Sequence, residues 1–147
     1  MNLTARLIQA KETQSLRHRV LWPHLPSRDV CVIDIDYRKD AFHVGVFSDE
    51  ILISIGSFFC LSSPRLQHAS QYRLRAMATD PNYRRLHAGQ RLLAFACEEL
   101  KKQDVDVLWC DARLIAVPFY ESIGVSKFND LYEIPLIGPH HFMWKEL

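Results

Sequence analysis

Residues 77–93 read MATDPNYRRLHAGQRLL. An apolar stretch stops at Asp80-Pro81-Asn82, a proline turn that ends a strand. A basic loop follows, and a glycine lies in the first turn of the clearest helix in the chain, residues 87–103. Ala88, Leu92, Ala96 and Leu100 recur there every fourth residue, and Leu93 and Cys97 widen the apolar stripe. Glu98 and Lys102 add a supportive pair on the exposed side. Strand, basic turn and helix in that order make an anion site. The first amides of a helix lack intrahelical acceptors, and the macrodipole draws negative charge to them. Gly89 lets backbone and ligand approach closely, while Arg84 and Arg85 add positive charge. A phosphate or pyrophosphate is the natural guest. The plainer reading, in which Gly89 packs the helix and the arginines are solvated, stays open on these residues alone. Neither GxxxxGK(S/T) nor GxGxxG occurs, which sets aside the two commonest phosphate loops.

Outward from this segment the chain alternates strands and helices. Residues 72–79 place Tyr72, Leu74, Ala76 and Ala78 on one face of a strand and Arg73, Arg75, Met77 and Thr79 on the other. Residues 42–47 (FHVGVF) alternate, residues 51–61 (ILISIGSFFCL) are β-branched and aromatic, and Ser48-Asp49-Glu50 joins them as a hairpin turn. Before them come a strand at 5–10, a helix at 12–21 and a proline-bearing loop at 22–28. After the central helix come a strand at 105–110, a short helix at 115–122 ended by Gly124, and strands at 128–134 and 141–145. The order β α β β β α β α β β predicts an α/β (α+β) fold. Its central sheet of six or seven strands is mostly antiparallel with some parallel pairing, flanked by three or four helices, in a single domain over residues 1–147.

Composition narrows the function. Eighteen Lys and Arg face 17 Asp and Glu, a net charge of +1, which argues against a dedicated nucleic-acid binder. Cys31, Cys60, Cys97 and Cys110 form no CxxC or zinc-type spacing, so free thiols in a reducing compartment are expected. No apolar run approaches the ~20 residues of a membrane span, and residues 1–10 lack a signal-peptide core. A soluble, cytoplasmic protein is the expectation. His140-His141 is a poor metal pair, because adjacent strand residues point to opposite faces, and no metal is expected.

Arg84-Arg85-Leu86-His87-Ala88-Gly89 resembles the acetyl-CoA loop of the GNAT acyltransferases, Gln/Arg-x-x-Gly-x-Gly/Ala between a strand and a helix. Arg84 and Gly89 fit, and His87 stands where the middle glycine is usual. Residues 116–124 (AVPFYESIG) resemble the family's Ala-x-x-Phe/Leu-Tyr-x-x-x-Gly-Phe segment, with Val125 in place of the phenylalanine. Cys110-Asp111-Ala112-Arg113 and Ile137-Gly138-Pro139-His140 are similar to the ElaA-like branch.

The resemblance implies a GNAT-type fold and an N-acetyltransferase that moves an acetyl group from acetyl-CoA to a primary amine, by direct transfer in a ternary complex. It implies that the amides of Arg84, Arg85, Leu86, His87, Ala88, Gly89 and Gln90 hold the pyrophosphate. The backbone of Met77, Ala78 and Thr79 would pair with the pantetheine arm and stabilise the oxyanion. Arg113 stands where relatives contact CoA through an asparagine. Tyr120 would protonate the leaving thiolate, since a phenol titrates near or above a thiol.

Several positions keep two readings. Tyr120 is otherwise a helix tyrosine packed on the core. The family's base glutamate corresponds to Arg73, which cannot act as a base, leaving His43, Glu133, His140, His141 or a water. Arg73 and Arg75, on one strand face, either help bind a substrate carboxylate or a CoA phosphate, or pair with an acid such as Asp111. His87 either caps the helix, touches the pyrophosphate or is simply exposed. The rival to the enzyme is a non-catalytic GNAT-fold module that binds CoA or a metabolite. The expected partner is a small-molecule or peptide amine, with no nucleic acid or membrane; a homodimer stays open.

Overall fold

A computed structural model describes residues 2–147. Seven strands form one sheet: β1 (Leu3–Ile8), β2 (Phe42–Ser48), β3 (Ile51–Phe59), β4 (Gln71–Thr79), β5 (Val107–Arg113), β6 (Ser126–Ile134) and β7 (Gly138–Glu146). Their order is β1-β2-β3-β4-β5-β7-β6. Only β4 and β5 run parallel; the other neighbours are antiparallel hairpins or returns. Three helices flank the sheet, α1 (Gln14–Leu16), α2 (Ala88–Lys102) and α3 (Val117–Ser122). This is the mixed α/β architecture that the element order predicts. No helix among the described residues is long and apolar enough to cross a membrane.

The amphipathic stripe of α2 closes one face of the sheet. Ala88, Leu92, Leu93, Ala96, Cys97 and Leu100 are buried in it, in one core with Val44, Val46, Phe58, Tyr72 and Leu74. Gly56 permits the close fit, because a Cβ there would lie 2.9 Å from Leu92 Cδ2. The opposite face carries a smaller core of Ile8, Leu16, Ile55 and Ala78.

That second face departs from expectation at its helix. The predicted continuous helix at 12–21 is three short turns: a 3-10 turn Ala10–Thr13, then α1, then a π turn Arg17–Leu21 closed by Trp22 N–H donating to Arg17 O at 2.8 Å. The wide turn begins at Arg17, whose side chain is drawn inward and fully buried. It grips Asp36 with two bonds of 2.7 and 2.8 Å. The first strand also ends earlier than predicted, because Gln9 N–H donates to Glu12 Oε2 at 2.7 Å and starts the helical turn at Ala10.

A second departure lies in β4. Ser57 pairs with Arg75 and Ile55 pairs with Ala78, so Gly56 alone faces both Ala76 and Met77. This is a β-bulge, and Ala76 takes φ 53°. The extra residue reverses the alternation beyond it. Tyr72 and Leu74 share the α2 face with Met77 rather than with Ala78, and Ala78 belongs to the opposite core. The single uninterrupted alternation read over residues 72–79 therefore holds only as far as Arg75.

Candidate active site

The bulge and the parallel pairing together open the sheet. β4 pairs with β5 only over Gln71–Arg73 and Val107–Trp109. Beyond that point β5 keeps pairing with β7 as far as Arg113, while β4 bends away and leaves its edge free from Leu74 to Thr79. An open strand edge offers backbone donors and acceptors to an extended guest.

A cavity of about 410 Å³ lies where this gap meets the start of α2. Nine of the twelve residues singled out above line it; the exceptions are Ala78, Leu86 and Arg113. Ala78 is turned away by the bulge and contributes backbone only. Leu86 is half-buried within the loop.

The loop's conformation explains its composition. Arg85 (φ 67°) and His87 (φ 63°) both occupy the left-handed region. His87 is the N-cap of α2 and makes no side-chain cap bond, so the capping reading of this residue is set aside. Histidine enters the left-handed region more readily than most side chains, and it turns the chain here as a glycine would. Its side chain is exposed at the cavity wall. Alternating handedness of this kind points successive amides inward, as anion-binding nests do. The first helical bond is Arg91 N–H to His87 O at 3.0 Å, and the amides of Ala88, Gly89 and Gln90 find no acceptor among the described residues. No acid occupies the first turn of α2. Open amides, a helix of 15 residues and two exposed arginines fit a pyrophosphate. Gly89 keeps the cavity open, since a Cβ there would stand 2.9 Å from Phe119 Cζ and 3.1 Å from Met77 Cε.

Tyr120 forms the far wall. Helix α3 buries its ring to 8% exposure against Phe119, at 5.2 Å between ring centres. Its hydroxyl lies 3.6 Å from Met77 Sδ, a weak acceptor, and makes no other bond. Burial, with a smaller contribution from Cys110, pushes the phenol well above its ordinary value. The neighbouring Cys110 thiol, also buried, is pushed up to about 12.

A second cleft of about 430 Å³ opens on the other side of the gap. Met77, Arg84, Ala116 and Tyr120 line both cavities, so the two meet at the phenol. The acetyltransferase (GNAT) family profile matches residues 7–125.

The chain belongs to the GNAT acetyltransferase family.

It is 40% identical over 145 residues to the uncharacterised N-acetyltransferase YitI of Bacillus subtilis (strain 168), covering 99% of this chain and 97% of that one. Escherichia coli ElaA superposes with a TM-score of 0.74 at 19% identity, over 99% of this chain and 100% of that one. The ribosomal-protein-S18-alanine N-acetyltransferase from Escherichia coli gives 0.74 at 18% identity, over 99% and 94%. At such identities the two structures speak for the fold alone.

In this GNAT acyltransferase the candidate bases fall in four different places. His43 is buried at the start of β2, where Nδ1 bonds Ser57 Oγ at 2.8 Å and Nε2 bonds the Asp36 carbonyl at 3.0 Å. Both ring nitrogens are spent in packing. Glu133 is exposed on β6 and lines neither cavity. His141 bonds Phe128 O at 2.9 Å and also lies outside both. His140 alone lines the second cleft. Its Nδ1 lies 2.7 Å from Gly138 O; a carbonyl only accepts, so Nδ1 carries the proton and Nε2 keeps its lone pair. Arg113 is also in this second cleft rather than at the loop. Arg73 pairs with Asp111 at 2.8 Å, the bland alternative read for it from sequence. Sequence reasoning missed Asp111's second partner, the Tyr132 hydroxyl, and the Leu21 and Trp22 wall, because both arise from strand and helix order rather than from local spacing.

Proposed function

We propose that this chain, as one catalytic domain over residues 1–147, transfers an acetyl group from acetyl-CoA to a primary amine. The observation that carries the reading is the meeting of two cavities at Tyr120: one has a phosphate-type loop at its mouth, the other has none. Four unpaired cysteines suit a reducing compartment, and the cytoplasm is the proposed location.

Arg84, Arg85 and the amides of residues 86–90 hold the pyrophosphate in this reading. The free edge of β4 at Met77–Thr79 receives the pantetheine arm. The thioester supplies an activated acyl group. His140 Nε2 accepts a proton from the amine, and Tyr120 donates its own to the departing sulfur. Amides near the bulge face the carbonyl oxygen, where preorganised donors count most.

Calorimetric titration of acetyl-CoA tests the loop. Wild type binds in the micromolar range, and Gly89→Trp, whose side chain collides with Phe119, abolishes binding. Charge reversal at exposed Arg85 (Arg85→Glu) weakens it at least about tenfold without touching the core. Binding that survives both changes sinks the assignment of the loop. For the base, His140→Gln lowers kcat/KM about 100-fold with acetyl-CoA affinity kept. An unchanged kcat/KM returns the role to a water.

A further inference from the structure

The second cleft is strongly cationic in a chain of net charge +1. Arg73, Arg75, Arg84 and Arg113 line it, against one acid, Asp111. That acid is already engaged twice: it accepts from Arg73 Nη2 at 2.8 Å and from the Tyr132 hydroxyl. No acid in the cleft is left to hold an ammonium.

Arg75 differs from its neighbours. It stands opposite Ser57 on β3. Ser57 also accepts from Arg17 at 2.9 Å, so two arginines flank one serine on this face. Arg17 spends both Nη groups on Asp36, Ser57 and the Cys31 carbonyl, and only its buried Nε–H lacks an acceptor. Arg75 is half-buried and makes no ion pair or hydrogen bond among the described residues. Arg73 beside it leaves a buried Nε–H with no acceptor. A guanidinium cannot shed its charge to relieve this, and a partly desolvated, unpaired cation is costly. Burial opposes the charge of Arg75, as do Arg73 and Arg17; Asp34 and Asp36 offset part of this. Neither Asp34 nor Asp36 forms an ion pair with it, so an anion from outside the chain can supply that partner.

Apart from His140, Cys110 and the Tyr120 hydroxyl, the rest of the cleft is apolar. Leu21 and Trp22 form one wall and Ile115 and Ile137 another, and Ile115 is 89% exposed. Arg75 and Met77 stand two positions apart on β4, on either side of the bulge at Ala76. Met77 touches the Tyr120 hydroxyl. Arg75, Met77 and Tyr120 all line this cleft, so one small molecule in it can set an amine at the phenol and a carboxylate toward Arg75.

We propose that the acceptor is a free amino acid, or a small amine of the same kind, whose carboxylate pairs with Arg75 and whose apolar side chain packs on Leu21, Trp22 and Ile115. The inference rests on the acyltransferase reading of the two cavities. It excludes polyamines and other polycations, which four arginines would repel.

The test is acetyl-CoA-dependent acetylation of free amino acids, the carboxamide of each, spermidine and an alanine-initiated peptide, with acetyl-CoA titrated by calorimetry on the same protein. An apolar amino acid should lead, with kcat/KM about 10- to 100-fold above its own carboxamide, the ratio expected for a charged hydrogen bond. Arg75→Gln should erase that ratio through KM, and Arg75→Lys should restore part of it; melting curves confirm that both variants fold. Equal rates on acid and carboxamide, a lead by spermidine or the peptide, or no turnover of any amino acid by a protein that binds acetyl-CoA overturns this inference and leaves the loop assignment standing. Failure to bind acetyl-CoA at all overturns both.

Discussion

Replacing Tyr120 with phenylalanine should lower kcat by about 100- to 1,000-fold, within the range for loss of a general acid, while acetyl-CoA affinity and thermal stability hold. The hydroxyl has one weak partner, Met77 Sδ at 3.6 Å, so removing it strands no strong donor or acceptor, and the stability change should stay within about 1 kcal/mol. The ring, which does the packing against Phe119, is unchanged. A tyrosine that serves only the core would give the opposite result: normal turnover in the variant. The pH dependence gives a second check. Burial holds the phenol protonated well beyond its ordinary value, so the acid side of the reaction should not titrate away as pH rises toward 10. A fall in kcat between pH 8 and 10 that disappears in Tyr120→Phe would contradict that. The measurement is steady-state kinetics on the best acceptor, with product thiol followed directly.

How much of this was legible beforehand follows physical lines. The loop and α2 were readable because helix starts are local: proline turn, basic residues, glycine and a fourfold apolar repeat all lie within one short stretch. The succession of strands and helices along the chain was readable from alternation and turns, but not the placing of β7 between β5 and β6 in the sheet. The bulge was not, because Ala76-Met77-Ala78-Thr79 continues an alternating pattern in letters while Gly56 opposite it accepts two residues in space. No glycine marks the positive φ at Ala76. His140 could not be told from His43 or His141 by sequence, since what separates them is which side of the sheet faces the gap between β4 and β5. Motif alignment sets Arg113 at a CoA-contact position, but its strand puts it in the second cleft. Arg17 was hidden for a different reason. A helical pattern scores arginine as solvent-facing, and its partner Asp36 lies nineteen residues away in a segment with no periodicity.

Arg17→Leu should be the most destabilising single change in the chain, by about 3–5 kcal/mol, because it strands a buried carboxylate. At roughly 2–4 °C per kcal/mol for a domain of this size, the melting temperature should fall by about 6–20 °C. The network assigns its own protons. His43 Nε2 must donate to the Asp36 carbonyl, so Nδ1 accepts from Ser57 Oγ–H, and Ser57 Oγ in turn accepts from Arg17 Nη2. This arrangement needs a neutral imidazole, and burial holds the His43 value below its ordinary one despite the pull of Asp36. A depressed value contributes stability that is present above the unfolded value near 6.5 and fades as pH falls below it. Asp36 is held below 3.8 chiefly by the Arg17 bond, against burial that pushes it up, so its share is lost only in stronger acid. Without Arg17, protonated His43 is the cation within ion-pair reach of Asp36, 3.9 Å from its carboxylate. The deficit of Arg17→Leu should therefore shrink as pH drops from 7 to 5, when the imidazole gains charge and takes over part of the pairing. Urea unfolding of wild type and variant across that range measures it, and a deficit that does not change with pH would refute the coupling. The double replacement Arg17→Met with Asp36→Leu should recover part of the loss, since it removes both charges, although the Ile33 N–H and the Cys31 carbonyl lose their side-chain partners. Ser57 then loses one donor and keeps His43, which places the stability of this face in the pairing of Arg17 with Asp36 rather than in either residue alone.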